Sequence, residues 1–190
     1  LAAIALSISL FHLVGSTSPA MDASKMKEAN IVPDMITTVP PNVVEVKYAD
    51  SKKEVRMGEV LTPSDVRNVP EVTFKADPSS LYTLVMADPD APTPRDPKFR
   101  ELLHWMVINI PGNNVTSGDT VVEYIGSGPP QNSEAHRYVF LVFKQLGTIE
   151  PGWVKHIDNK TRDGRQNFEV TRFARQFRLG DPIAGNFFRA

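Results

Sequence analysis

A chain of 190 residues with 41% hydrophobic and 23% charged side chains has the size and composition of one globular domain with its own core. Its formal charge of -1 offers no field of one sign, which argues against bulk recruitment of nucleic acid or an anionic membrane. The absence of cysteine removes disulfides, thiol nucleophiles and cysteine-ligated zinc together.

Residues 1–20, LAAIALSISLFHLVGSTSPA, carry no charged side chain and end in small residues, as the apolar and cleavage regions of a secretory signal do. Ser18-Pro19-Ala20 offers a small-x-small cleavage site, and the lack of an initial methionine or basic start reads as an incomplete N-terminus. The apolar part before Gly15 is shorter than the ~20 residues of a spanning helix, so a secreted protein without a transmembrane anchor is expected. Asn114-Val115-Thr116 and Asn159-Lys160-Thr161 then become candidate glycosylation sites at Asn114 and Asn159.

Residues 21–42 hold Pro33, Pro40 and Pro41 with little periodicity, which predicts an extended arm with a short helix near residues 24–30. Alternating segments follow. Residues 43–48 and 71–76 read as strands, separated by LTPSDVRN, where Thr62 or Ser64 can cap one helical turn. Residues 81–87, 104–110, 120–125 and 138–144 are rich in β-branched and aromatic residues and bounded by turn formers, so they form the centre of a mainly β domain over residues 43–190. Val170, Phe173 and Phe177 at helical spacing predict an amphipathic helix over 169–178.

If the four central strands alternate in direction, loop 88–103 and turn 126–137 fall at the same sheet edge. Asp88 and Asp90 leave the first strand there, His104 starts the second, Gly126–Pro130 ends the third and His136 precedes the fourth. Two carboxylates and two imidazoles suit metal ligation in kind, but their spacing matches no compact metal motif. Ser127 beside His136 lacks the strand-to-helix elbow of a nucleophile and reads as turn material. An anion pocket fits better: imidazole NH groups, the Tyr138 hydroxyl and backbone NH groups around Gly126 and Gly128 can donate, while Asp88 and Asp90 orient the rings or accept from a ligand amine. Against this stand ordinary turn chemistry at each Asp-Pro and a solvated loop at residues 95–101.

With those residues laid out, the segments LYTLVMADPDAPTPRDPKFRELLHW, VEYIGSGPPQNSEAHRYVFLVFKQ and NFEVTRFARQFRLGDPIAGNFF resemble the phosphatidylethanolamine-binding protein family, which includes Raf kinase inhibitor proteins and plant flowering regulators. The likeness spans about residues 43–188 and is similar to the secreted invertebrate branch. It implies two antiparallel sheets, the larger central, flanked by short helices, with no established catalysis and no cofactor. It also implies an anion pocket for phosphate, acetate or a phosphoethanolamine headgroup, lined by Asp88, Asp90, His104, Gly128, Pro129, His136 and Tyr138, with Pro92 and Trp105 as neighbouring walls.

Three features depart from the pattern. Leu103-His104 stands where many animal members have paired histidines, the chain stops at Phe187–Ala190 where many continue into a helix, and the leader differs from cytosolic relatives. The expectation is therefore a secreted, monomeric, non-enzymatic binder of phosphoryl headgroups or small anions. The alternative is a protein-interaction module, such as a serine protease inhibitor or signalling modulator, and a metal-dependent hydrolase ranks last.

Overall fold

The computed structural model describes residues 19–190, so nearly all of the expected leader lies outside the described residues. The chain begins with helices α1 (Pro19–Glu28) and α2 (Ile31–Asp34) and continues into strands β1 (Asn42–Val43), β2 (Glu45–Tyr48), β3 (Lys53–Glu54), β4 (Glu59–Val60) and β5 (Glu71–Thr73). The long strands β6 (Leu81–Asp88), β7 (Leu102–Pro111), β8 (Asp119–Val122) and β9 (Arg137–Lys144) follow, then helix α3 (Val170–Gln176) and strand β10 (Ala184–Arg189). The arm expected to be extended is helical through most of residues 19–34. Its helix formers PAMDASKMKE precede the first interior breaker, Pro33. Residues 62–65 form a turn in which Thr62 Oγ1 accepts from Asp65 N at 3.3 Å and Asp65 Oδ2 accepts from Thr62 N at 2.9 Å.

The architecture is mainly β, with two sheets. The larger runs β1-β10-β9-β6-β7-β8 with β4 also on β10, and the smaller runs β3-β2-β5. The segment expected as one strand over 43–48 is divided: β1 joins the large sheet, Val44 donates its NH to Gly185 O, and β2 enters the small sheet. Strands β6, β7 and β9 are buried on both faces. One face packs Val85, Met106 and Leu141 against Met26 and Ile31 of the arm and Val170 and Phe173 of α3. The other packs Leu84, Val107 and Phe140 against Val46 and Val72 of the small sheet.

β10 has no counterpart among the strands read from the sequence. Gly185 and Asn186 interrupt its apolar alternation, yet both have a structural reason. A Cβ at Gly185 would lie 2.9 Å from Pro40 Cγ, and buried Asn186 donates to Val44 O and Val55 O while its carbonyl accepts from Met57 N and Phe187 N. Three of these four Asn186 bonds join the large sheet to the 44–57 segment that feeds the small one.

Glu101, just before β7, is 6% exposed, and its Oε2 accepts the Val170 NH at the start of α3 at 2.9 Å. Burial, only partly opposed by that bond, pushes its carboxyl up to about 8. The folded chain thus holds a proton that the unfolded chain releases near the ordinary carboxyl value of 4.5. The resulting stability is full below the unfolded value and drains as pH rises toward about 8. Glu101→Gln keeps an acceptor for Val170 and removes the titration. The variant is expected to melt several degrees above the wild type at pH 9 and within about a degree of it at pH 4.5. Parallel melting curves at both pH values would show the carboxyl to be ionised throughout.

Candidate binding pocket

The directions of the central strands bring the site together. β6 is antiparallel to both β7 and β9, and β7 to β8, so the end of β6, the start of β7, the exit from β8 and the start of β9 share one edge. β9 is not a neighbour of β8; it pairs with β6 and β10 instead. At this edge lies a cavity of about 90 Å³ whose walls include Asp88, Pro92, His104, Gly128, His136 and Tyr138. Phe99, Arg162 and Gln166 also line it.

His104 reaches the cavity through a break in register. Met86 faces Trp105 and Ala87 faces Leu103, leaving His104 as an extra residue in the β6–β7 ladder. Such a bulge re-aims the side chain that strict alternation would send elsewhere. The ring is 3% exposed and its Nδ1 lies 2.9 Å from Ile125 O. A carbonyl only accepts, so Nδ1 carries the hydrogen. Nε2 is buried with no hydrogen-bond partner among the described residues. Burial, reinforced by the Arg165 and Arg162 charges and outweighing the Ile125 bond and Asp88, holds this imidazole below the usual histidine range.

His136 is fixed at both nitrogens. Nδ1 donates to Asp88 Oδ2 at 2.8 Å, and Nε2 lies 2.9 Å from Ser133 Oγ. Asp88 Oδ1 accepts the Asp90 backbone NH at 2.7 Å, so this 2% exposed carboxylate aims one ring and ties its own loop at once. The His136 ring stacks near Tyr138, which stacks on Phe188 at 5.0 Å and meets His104 edge-on at 5.1 Å. Burial raises the Tyr138 hydroxyl well above the ordinary phenol value, so it stays a neutral donor.

Asp90 does different work from Asp88. It is absent from the cavity wall and grips Arg137: Oδ2 accepts from Arg137 N and Nε, and Oδ1 from Nη2 at 2.6 Å. Burial pushes the Asp90 carboxyl up, but the Arg137 bonds and the Arg137 and Arg100 charges outweigh it and hold the group low. Arg137 also donates to Ala29 O and Asp34 Oδ2, anchoring the helical arm behind the pocket.

Besides Asp90, two further residues expected at the wall are absent from it. Trp105, paired with Met86, does not line the cavity: its ring packs into the core toward the small sheet and meets Tyr124 edge-on at 5.7 Å. Pro129 is flanked by the wall residues Gly128 and Pro130 but does not join them. Asn114 and Asn159 are both exposed, on another face of the protein.

The sequence reading passed over Arg162, Ser133 and Arg165. Arg162 supplies a guanidinium at the cavity with no hydrogen bond or ion pair among the described residues, and its Nη2 lies against the position a Cβ would take at Gly128. Its only trace in the sequence is one basic residue in the polar run TRDGRQ. Arg165 is wholly buried and its guanidinium donates to the Thr161, Leu103, His104, Glu123 and Asp158 carbonyls, holding the loop behind the cavity to β7 and the exit of β8.

Ser133, His136 and Asp88 have the connectivity of a nucleophile, base and orienting acid. Ser133 Oγ, however, donates to the neighbouring Glu134 O at 2.9 Å and does not line the cavity. Ser127 Oγ is buried without a partner among the described residues and makes no bond to either histidine. The cavity gathers two imidazoles, a phenol and a guanidinium around a volume of about 90 Å³, well below the ~300–1,000 Å³ of drug-sized ligand sites.

The family model for phosphatidylethanolamine-binding protein matches residues 51–188. The chain is 34% identical over 165 residues to odorant-binding protein A5 of Drosophila melanogaster, covering 87% of this chain and 78% of that one. It is 41% identical over 162 residues to the 26 kDa secreted antigen of Toxocara canis; the match covers 85% of this chain and spans 61% of the antigen's length. Among solved structures, a carboxypeptidase Y inhibitor complexed with its cognate proteinase aligns with a TM-score of 0.75 and 28% identity, over 90% of this chain and 95% of that one.

Proposed function

This chain belongs to the phosphatidylethanolamine-binding protein family, and we propose that it is a secreted, non-enzymatic binding protein whose edge cavity takes a small phosphoryl-type oxyanion, free or as a headgroup. The observation that carries this reading is the buried His104 Nε2, without a partner among the described residues, in a small cavity that also has an exposed guanidinium at its wall. Asp88 supports it by orienting His136, and the engaged Ser133 hydroxyl speaks against hydrolysis. Among the described residues no helix is long and apolar enough to cross a membrane. Secretion draws on the uncharged leader and on a relative named as a secreted antigen.

Calorimetric titration with phosphorylethanolamine tests the reading. One site is expected, with affinity weaker at pH 8 than at pH 6 and reduced at least tenfold in Arg162→Gln, whose exposed side chain can change without disturbing the core. A folded wild type that takes up no ligand at either pH would retire the pocket reading. The alternative is protease inhibition, favoured by the solved carboxypeptidase Y inhibitor complex. There the exposed part of loop 88–103 would make the contact, and inhibition would survive Arg162→Gln.

A further inference from the structure

The open nitrogen of His104 sets a condition on the ligand that goes beyond its charge and deepens the oxyanion reading, on which this inference rests. The Ile125 carbonyl fixes the hydrogen on Nδ1. With one ring proton so committed, Nε2 presents a lone pair, and every oxygen of a fully deprotonated oxyanion presents lone pairs too. Two acceptors facing each other in a closed cavity repel, and leaving a buried acceptor without a donor carries its full desolvation cost.

The surroundings do not supply the missing hydrogen. From β6, the Asp88 carboxylate is occupied by His136 Nδ1–H and the Asp90 NH. From β9, Tyr138 meets the His104 ring edge-on, and the His136 nitrogens are both engaged. From the loop before α3, Arg162 and Arg165 contribute positive charge, which disfavours adding a proton to His104. Neither guanidinium bonds Nε2.

We propose that the oxyanion brings its own proton: a P–OH group of the ligand donates to His104 Nε2 while the remaining oxygens accept from Arg162 and the other donors of the wall. The preferred ligand class is then hydrogen phosphate, or a phosphomonoester in its singly protonated form. Sulfate and phosphodiesters, which keep no such proton near neutrality, are disfavoured. No bond is made or broken, and the proton stays shared across the contact.

The test compares inorganic phosphate with sulfate by calorimetry at pH 8, where both carry mainly two negative charges and only phosphate keeps a hydrogen. Dimethyl phosphate and glycerophosphorylethanolamine serve as diester arms, the second with an ammonium group. Phosphate is expected to bind on the order of tenfold to a hundredfold more tightly than sulfate, with both diesters weak. Imidazole ¹⁵N spectra of the wild type are expected to report His104 Nε2 as unprotonated before phosphate is added and as a hydrogen-bond acceptor afterwards.

Equal affinity for phosphate and sulfate would overturn the proposal while leaving an oxyanion pocket in place. Tight binding of glycerophosphorylethanolamine but not dimethyl phosphate would overturn it as well, by making an ammonium group the donor and a lipid headgroup the source. Failure of all four ligands would remove the pocket reading itself, and this inference with it.

Discussion

Arg165→Met is expected to lower folding stability by about 4 kcal/mol or more, a fall in melting temperature of roughly 8–16 °C for a domain of this length. The side chain is wholly buried, and all five guanidinium NH groups are spent on backbone carbonyls at 2.7–3.2 Å. Those carbonyls belong to three pieces of chain: the loop at Asp158 and Thr161, the start of β7 at Leu103 and His104, and Glu123 just past β8. Removing the donor leaves buried acceptors whose water was given up on folding, and methionine fills the volume without bonding any of them. Arg165→Lys restores the charge but has three donors on one nitrogen, too few and too clustered to reach carbonyls on three segments. Lysine should therefore recover only part of the loss. Thermal unfolding of both variants followed by circular dichroism reads this directly, and a loss below about 1 kcal/mol in the methionine variant would show the carbonyls to be satisfied by water instead.

Much of this fold was written in local pattern, and the exceptions have physical causes. The four central strands are dense in β-branched and aromatic residues, and three of them, β6, β7 and β9, are buried on both faces, so their signal survives without tertiary knowledge. Their alternating direction was enough to gather Asp88, His104 and His136 at one edge. β10 was hidden because Gly185 answers to Pro40 and Met26, and Asn186 to a segment about 130 residues earlier; no local window contains those partners. Trp105 adjoins a pocket residue in the sequence, yet its ring is committed to Tyr124 and the core under the small sheet, partners that no local window around it contains. The division of labour between the two carboxylates was likewise invisible. Asp88 and Asp90 look alike in the sequence, and only the position of Arg137 turns one of them away from the cavity. Arg162 and Arg165 lie in a run that reads as solvated polar chain, and one of them is the most deeply buried charge described.

Asp88→Asn separates orientation from charge at the pocket. Both carboxylate oxygens of Asp88 accept: Oδ1 from the Asp90 NH and Oδ2 from His136 Nδ1. Asparagine has one acceptor oxygen and one NH₂, so it can serve only one of these donors and must point hydrogens at the other. If the oxygen stays with the Asp90 NH, the amide faces His136 Nδ1 and drives the ring to the tautomer with its hydrogen on Nε2, toward Ser133. If the oxygen turns to the ring, the Asp90 NH loses its partner and the turn carrying the Arg137 grip loosens. The first outcome changes the ring's tautomer and the second leaves a buried NH unpaired at a cost of about 1–3 kcal/mol in stability; either is expected to lower phosphate affinity on the order of tenfold or more. Asp88→Ala removes both bonds but points no hydrogens at either donor, and the space it opens can admit water. Asparagine is therefore expected to be at least as damaging as alanine to phosphate binding, although it keeps the shape of the side chain. Calorimetry on both variants, alongside melting curves, decides the point: an asparagine variant that binds phosphate like the wild type would show that His136 needs no orienting carboxylate.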